Sequence, residues 1–126
     1  VKATKIVLKV FPHARFLLIG RGLDYSNLNF IHLINNHSNI NNFILLGERS
    51  DIPTCLKSMD LFCLPSRSEG FPNSLGEAML AGIPCVSTDA GDASVLGGKN
   101  VPIAKVDNHE DLANKFQVGD EQITDE

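Results

Sequence analysis

Short apolar runs alternate with amphipathic stretches along this chain, and that alternation limits its possible folds more than any other feature. The runs are Arg15-Phe16-Leu17-Leu18-Ile19-Gly20, Phe43-Ile44-Leu45-Leu46-Gly47, Asp60-Leu61-Phe62-Cys63-Leu64 and Ile83-Pro84-Cys85-Val86-Ser87. A weaker fifth, Val101-Pro102-Ile103-Ala104, carries a proline and reads as an edge strand. Runs of this length, bounded by glycine or polar loops, read as buried strands. The stretches between them have helical spacing, so the whole is the pattern of an α/β chain with a mostly parallel sheet.

The intervening segments are legible one by one. Ala3, Ile6, Val7 and Val10 keep the spacing of a helix face, although the β-branched content leaves strand open, and Pro12 ends the segment either way. Gly20-Arg21-Gly22 is a tight turn into a helix holding Leu28, Ile31 and Ile34. NNHSNINN, residues 35–42, is read as a turn or loop, because asparagine satisfies its own backbone in turns. Asp51 and Pro53 look like a cap and a first-turn proline for a helix with Ile52, Cys55, Leu56 and Met59 on one face. A helix begins near Pro72-Asn73 with Leu75, Ala78, Met79 and Gly82 as its core stripe. His109 to Phe116 reads as a short last helix, and the polar tail after Val118 reads as frayed. Residues 1–118 are therefore expected to form one domain and residues 119–126 a polar tail.

Composition excludes several functions. With 11 Lys+Arg against 15 Asp+Glu, the net charge is −4, which leaves no basic excess for neutralising nucleic-acid phosphates. Apolar residues make up 43%, too many for a disordered chain of modest charge. No apolar run approaches the ~20 residues of a membrane span. Cys55, Cys63 and Cys85 are odd in number, widely spaced and set in apolar surroundings, so they read as buried thiols and not as a disulfide framework or zinc site. That usage favours a reducing, cytoplasmic compartment. The four histidines have no partner pattern and are read as structural or surface residues.

Ligands of open parallel sheets bind at the carboxyl ends of the strands, near helix N-termini. Polar or glycine-bearing loops fall there at 20–22, 47–51, 66–74 and 88–94. The GRG turn is not a dinucleotide fingerprint, and no acidic residue follows at the distance that would mark a nicotinamide site. The clustered aspartates of a phosphoacceptor receiver are also missing. The informative stretch is SRSEGFPNSLGEAMLAGIPCVSTDAGD, residues 66–92. Glu69 precedes a helix and Glu77 lies inside it, with seven residues between them. Asn73, Gly76, Glu77 and Leu80 share one side of that helix, away from Leu75 and Met79. Both carboxylates can then face the strand-end crevice, and Gly76 would let a ligand approach the backbone. The first-turn amides of Asn73, Ser74 and Leu75 offer N–H donors and the positive end of the helix dipole to an anion. Hydroxyl acceptors beside phosphate donors suit a sugar joined to a diphosphate. Singly, each residue also has an ordinary reading: Glu77 a solvated helix residue, Glu69 a dipole partner, Asn73 an N-cap.

As a set, FPHARFLLIGRG, FILLGERSDIPTCLKSMDLFCLPSRSEGFPNSLGEAMLAGIPCVSTDAGD and VDNHEDLANKF resemble the family 4, or group 1, glycosyltransferases, from about Phe11 to Phe116. The resemblance implies the GT-B architecture of two facing Rossmann-like domains. This chain would be the carboxy-terminal, donor-binding half, a three-layer domain with a mostly parallel sheet. The family's paired glutamates fall on Glu69 and Glu77. By similarity Glu69 would hold donor-sugar hydroxyls as the catalytic residue, assisted by the amides of Gly70 and Phe71. Glu77 would bind the ribose diol, Ser74 and Leu75 would meet the diphosphate, and Gly47, Glu48 and Arg49 would border the base. The reaction implied is sugar transfer from a nucleotide diphosphate sugar to an acceptor hydroxyl with retention, in bacterial surface polysaccharide or glycoconjugate synthesis. No cofactor or metal is implied, and UDP is expected over GDP from family prevalence.

Gly91-Asp92 departs from the family's commoner double glycine. The first strand of the family's domain, and its Arg/Lys clamp loop, do not match anything at Val1 to Val10. The expectation is that an amino-terminal GT-B domain completes the cleft, that the 126 residues alone are inactive, and that the whole protein is cytoplasmic, peripheral at the inner membrane face. The alternative reading is a non-catalytic Rossmann-like module that binds a nucleotide or a protein.

Overall fold

The computed structural model describes residues 1–65 and 73–124, with the side chains of Asn73 and of 117–124 excepted. The chain divides into two compact units, Val1–Ile52 and Pro53–Glu126.

The first unit runs α1 (Lys2–Val10), β1 (Phe16–Ile19), α2 (Leu28–His37), a 3-10 turn (Ile40–Asn42) and β2 (Phe43–Gly47). The ambiguous amino-terminal segment is a helix that buries Ala3 and Val7, and it stops at Val10, two residues before Pro12. Strands β1 and β2 pair in parallel from Phe16↔Phe43 to Ile19↔Gly47, with the register shifting between Leu18 and Ile19. Ile34, Phe43 and Leu45 form the core, and Phe16, Leu18, Phe30 and Ile31 pack against it. The rings of Phe16 and Phe43 lie 5.2 Å apart and tilted, as aromatic pairs prefer. Of the three apolar residues expected on α2, Ile34 is buried and Ile31 half-buried, whereas Leu28, the first residue of the helix, is 75% exposed.

The asparagine-rich stretch corrects the expectation of a single loop. Asn35, Asn36 and His37 complete α2, and Ser38 closes it with its amide donating to the Ile34 carbonyl at 2.7 Å. Asn39 then caps the 3-10 turn, its side-chain oxygen accepting from the Asn41 amide at 2.9 Å. Asparagine's turn chemistry is present, but it is used to stop one helix and start the next.

The second unit contains most of α3 (Ile52–Lys57), then β3 (Phe62–Leu64), α4 (Asn73–Leu80), β4 (Cys85–Thr88), α5 (Ala93–Gly97), β5 (Ile103–Ala104) and α6 (His109–Thr124). Strands β3, β4 and β5 form a parallel sheet in that order. All four residues of central β4 are buried, as expected of a strand covered on both faces. Cys55 and Leu56 are buried as the spacing predicts, but α3 ends before Met59. The Ser58 hydroxyl donates to the Cys55 carbonyl at 2.6 Å, a local bond that competes with another helical turn. Leu75 and Ala78 are fully buried on α4, and Gly82 lies past its end in a turn with φ +77.

Two further expectations are corrected here. Residues 88–94 are not loop throughout, since α5 starts at Ala93. The polar tail is helical, for α6 continues past Val118 to Thr124. Asn108 caps that helix, its side-chain oxygen accepting from the Asp111 amide at 2.9 Å, while the Asp111 carboxylate accepts from the Lys105 amide at 2.8 Å.

Candidate functional site

The carboxyl ends of the strands carry the candidate residues, and each unit presents its own set. In the first unit, the Gly20 amide donates to the Gly47 carbonyl at 2.8 Å, and the Gly47 amide donates to the Leu23 carbonyl at 2.8 Å. The loop after β1 is thereby laced to the end of β2. Gly47 has φ +66, and a Cβ there would stand 3.3 Å from the Asp24 Cβ. The positive φ favours glycine here, and a side chain would also press on Asp24. Asn27 secures the same turn from the other side, its amide nitrogen donating to the Gly22 carbonyl at 2.8 Å while its oxygen accepts from the Phe30 amide at 3.2 Å. One side chain thus caps α2 and fixes the GRG turn.

Of the residues expected to border a base, Gly47 is buried and Glu48 and Arg49 are exposed. The Arg49 guanidinium meets Asp51 through two bonds of 2.8 and 2.7 Å, a bidentate pair that fixes the loop's shape. Glu48 lies 4.0 Å from Arg21, with both side chains largely in solvent, so this pair adds little stability. Asp24 was not singled out from the sequence. Its carboxylate accepts from the Ser26 amide at 3.0 Å and from the Ser26 hydroxyl, and that hydroxyl contact chiefly holds its pKa below the ordinary value. The Asp-x-Ser spacing, which favours such a turn, is the signal that marks it.

In the second unit, α4 places Asn73, Ser74 and Leu75 in its first turn. Their amides belong to the helix positions without intrahelical acceptors. The Leu75 side chain is fully buried, so only its backbone can meet a ligand. Glu77 and Leu80 are exposed, Leu80 at 91%, which bears out the division of this helix into a core stripe and an outer side. Gly76 differs from expectation in its neighbour: a Cβ there would meet Leu96 of α5 at 3.6 Å. That is an ordinary contact, so the packing of α5 leaves room for a methyl group here. Glu69, Gly70 and Phe71 lie outside the described residues.

At the end of β4, the buried Ser87 and Thr88 satisfy their hydroxyls internally, Ser87 donating to the Thr88 carbonyl at 2.8 Å and Thr88 to the Leu64 carbonyl at 3.2 Å. They are consequently structural polar groups of the core. Asp89 and Asp92 are exposed beyond them, flanking the turn at Gly91. Cys55 and Cys85 are buried and Cys63 half-buried, and burial pushes the Cys63 thiol up to about 12 and the Cys85 thiol to about 11. Thiols so placed are inert. Among the described residues, no group of three or more His, Cys, Asp or Glu is arranged to hold a metal ion. Nor is any helix there long and apolar enough to cross a membrane.

A family model described as glycosyl transferases group 1 matches residues 1–118. The chain belongs to the group 1 glycosyl transferases. Among curated relatives, it is 34% identical over 90 residues to the UDP-Gal:alpha-D-GlcNAc-diphosphoundecaprenol alpha-1,3-galactosyltransferase of Escherichia coli, covering 68% of this chain and 22% of that protein. It is 31% identical over 116 residues to N-acetyl-alpha-D-glucosaminyl L-malate synthase of Bacillus anthracis, covering 92% and 27%. The solved structure of HepE from Anabaena in complex with UDP and glucose aligns with a TM-score of 0.73 and 27% identity, over 98% of this chain and 37% of that one. TarM shares the fold, with a TM-score of 0.79 at 22% identity, over 96% and 25%. The α/β architecture with parallel sheets is that of the GT-B glycosyltransferases. The chain spans between 22% and 37% of the length of these relatives and solved structures.

Proposed function

We propose that this chain is the donor-binding part of a retaining glycosyltransferase that transfers a sugar from a nucleotide diphosphate sugar to an acceptor hydroxyl. The observation that carries this reading is the alignment of 98% of the chain with HepE, a protein solved in complex with UDP and glucose. Residues of the second unit have chemistry suited to such a donor. The first-turn amides of α4 at Ser74 and Leu75 present N–H groups and the positive dipole end to a diphosphate. Glu77, one turn further and exposed, is an acceptor for a ribose diol. Glu69, with the amides of Gly70 and Phe71, is assigned to the donor sugar. The base contacts assigned to Gly47, Glu48 and Arg49 are proposed for the first unit by itself.

In the reaction, the bond between the anomeric carbon and the diphosphate breaks and the acceptor oxygen bonds to that carbon on the same face. The nucleoside diphosphate leaves with the bonding electron pair and takes up the proton that the acceptor hydroxyl gives up. Amides at the helix start stabilise the charge that grows on the leaving group, an electrostatic contribution made without reorganisation. An amino-terminal GT-B domain supplies the acceptor side of the cleft. UDP is the proposed nucleotide, and the product is a bacterial surface polysaccharide or glycoconjugate made at the cytoplasmic side of the membrane. No metal or cofactor is assigned a role.

Titrating UDP and UDP-glucose while following backbone amides by NMR tests the donor site. Saturable shifts at Ser74, Leu75 and Glu77 are expected, and Glu77→Ala should weaken binding by about 1–3 kcal/mol, the loss of a hydrogen-bonded charged group. Shifts confined to other segments, or none with UDP, GDP or their sugars at millimolar concentration, would overturn the assignment in favour of a non-catalytic module.

A further inference from the structure

A recess of about 430 Å³ lies in the first unit, away from the loops that follow the strands. Lys5 and Lys9, one turn apart on α1, form one wall, and the 35–39 segment forms the other. That segment precedes β2, so the recess lies toward the end of the unit where the strands begin, whereas Gly20 and Gly47 mark the end where they finish. It is a shallow, open depression that suits a small charged group held at the surface.

Leu8, Asn35, Asn36 and His37 complete the lining, and the charged groups in it are cations. Among the described residues it contains no carboxylate. The Lys5 and Lys9 side chains bring two ammonium groups. The Asn39 side-chain oxygen is already bound to the Asn41 amide, which leaves its NH₂ group as a donor. The Ser38 hydroxyl is buried and makes no hydrogen bond within the protein. Buried hydroxyls are ordinarily satisfied, and each exception calls for an explanation. Local charge agrees with this lining: residues 1–52 carry six Lys/Arg against three Asp/Glu, although the whole chain is at −4. Those three acids, Asp24, Glu48 and Asp51, all belong to the segments after β1 and β2. Lys9 is in the last turn of α1, where it complements the helix dipole, but Lys5 is not, and dipole compensation leaves the Ser38 hydroxyl unexplained.

We propose that this recess is an anion site for a phosphate group, carried by a small metabolite or by a lipid headgroup. The phosphate accepts from the Lys5 and Lys9 ammonium groups and from the Asn39 amide, and from the Ser38 hydroxyl once that buried group turns toward the recess. The site is separate from donor binding, and its residues are not among those assigned to the nucleotide sugar.

Inorganic phosphate titrated at constant ionic strength, with backbone amides followed by NMR, tests the site directly. Saturable shifts centred on Ser38 and Asn39 are expected. The double variant Lys5→Gln/Lys9→Gln should weaken them on the order of tenfold or more, as the loss of charge-assisted hydrogen bonds implies. Ser38→Ala should weaken them less while leaving the melting temperature unchanged. Sedimentation with pure phosphatidylcholine vesicles, and with the same vesicles doped with phosphatidylglycerol, distinguishes the sources. Binding to the doped vesicles alone, lost in the double variant, identifies a headgroup; phosphate binding without vesicle binding identifies a soluble ligand. Shifts that fail to saturate, that spread evenly over all lysine-bearing segments, or that persist in the double variant would overturn the proposal, as would the absence of binding in both arms. Neither arm uses a nucleotide, so failure here is distinguishable from failure of the donor site.

Discussion

Gly76 and Gly97 have no side chain for different reasons, and the difference can be measured. A Cβ at Gly97 would stand 2.6 Å from the Val101 Cβ and 2.9 Å from its Cγ2, and Val101 is buried. These atoms sit next to the backbone and cannot swing aside. Gly97→Ala is therefore expected to destabilise the protein by about 1–3 kcal/mol, the usual cost of overpacking, as read from urea unfolding midpoints. At Gly76 the nearest atom is the flexible end of Leu96, at 3.6 Å, an ordinary contact. Gly76→Ala should leave stability unchanged or raise it by up to ~1 kcal/mol, because alanine costs less backbone entropy in a helix. If that variant nevertheless loses UDP binding, the space at Gly76 serves a ligand. The clash at Gly97 is not legible in the sequence, because the short helix that holds it carries no periodicity.

At the level of elements, Asn27 joins a helix cap to a turn. Asn27→Ala removes the bond to the Phe30 amide and leaves the Gly22 carbonyl without its side-chain donor. A loss of about 1–2 kcal/mol is expected from the cap, seen as a lower unfolding midpoint. Asn27→Asp, which keeps the acceptor but not the donor, should recover part of it. The strands were legible from their apolar runs to within a few residues, and Phe43–Gly47 was legible from end to end. Helix ends were less so. The stop of α3 is made by Ser58, and the break at Ser38 by a carbonyl of the preceding turn, so both depend on local geometry that asparagine and serine content signals only loosely. Helix α5 escaped because five residues with two exposed apolar or polar positions carry no periodicity to read. The outer side of α4 was legible, since the 3.6-residue period separates Glu77 and Leu80 from Leu75 and Ala78 whatever the helix packs on.

For the whole molecule, the two shifted thiols make stability depend on alkaline pH. Burial pushes the Cys63 thiol up to about 12 and the Cys85 thiol to about 11, from the ordinary 9.0 that a thiol has in the unfolded chain. Between pH 9 and 11 the unfolded chain has released protons that the folded one keeps, so the unfolded state gains and stability falls as pH rises. Each thiol contributes about 1.4 kcal/mol per pH unit in that window, and the loss is absent below pH 8. Urea unfolding at pH 8 and pH 10 measures it, and the variant Cys63→Ala/Cys85→Ala should show a smaller drop between the two. By itself the sequence determined the α/β class, the family and the residues that face outward from α4. These follow from the period of apolar residues and from a long continuous motif, both properties of neighbours along the chain. The tertiary structure decided that Leu96 stands over Gly76, that Asp24 closes against Gly47, and that Lys5 and Lys9 share a recess with an unsatisfied Ser38 hydroxyl. Each of these joins residues far apart in the chain, and such distances are set by packing, which no local period or composition encodes.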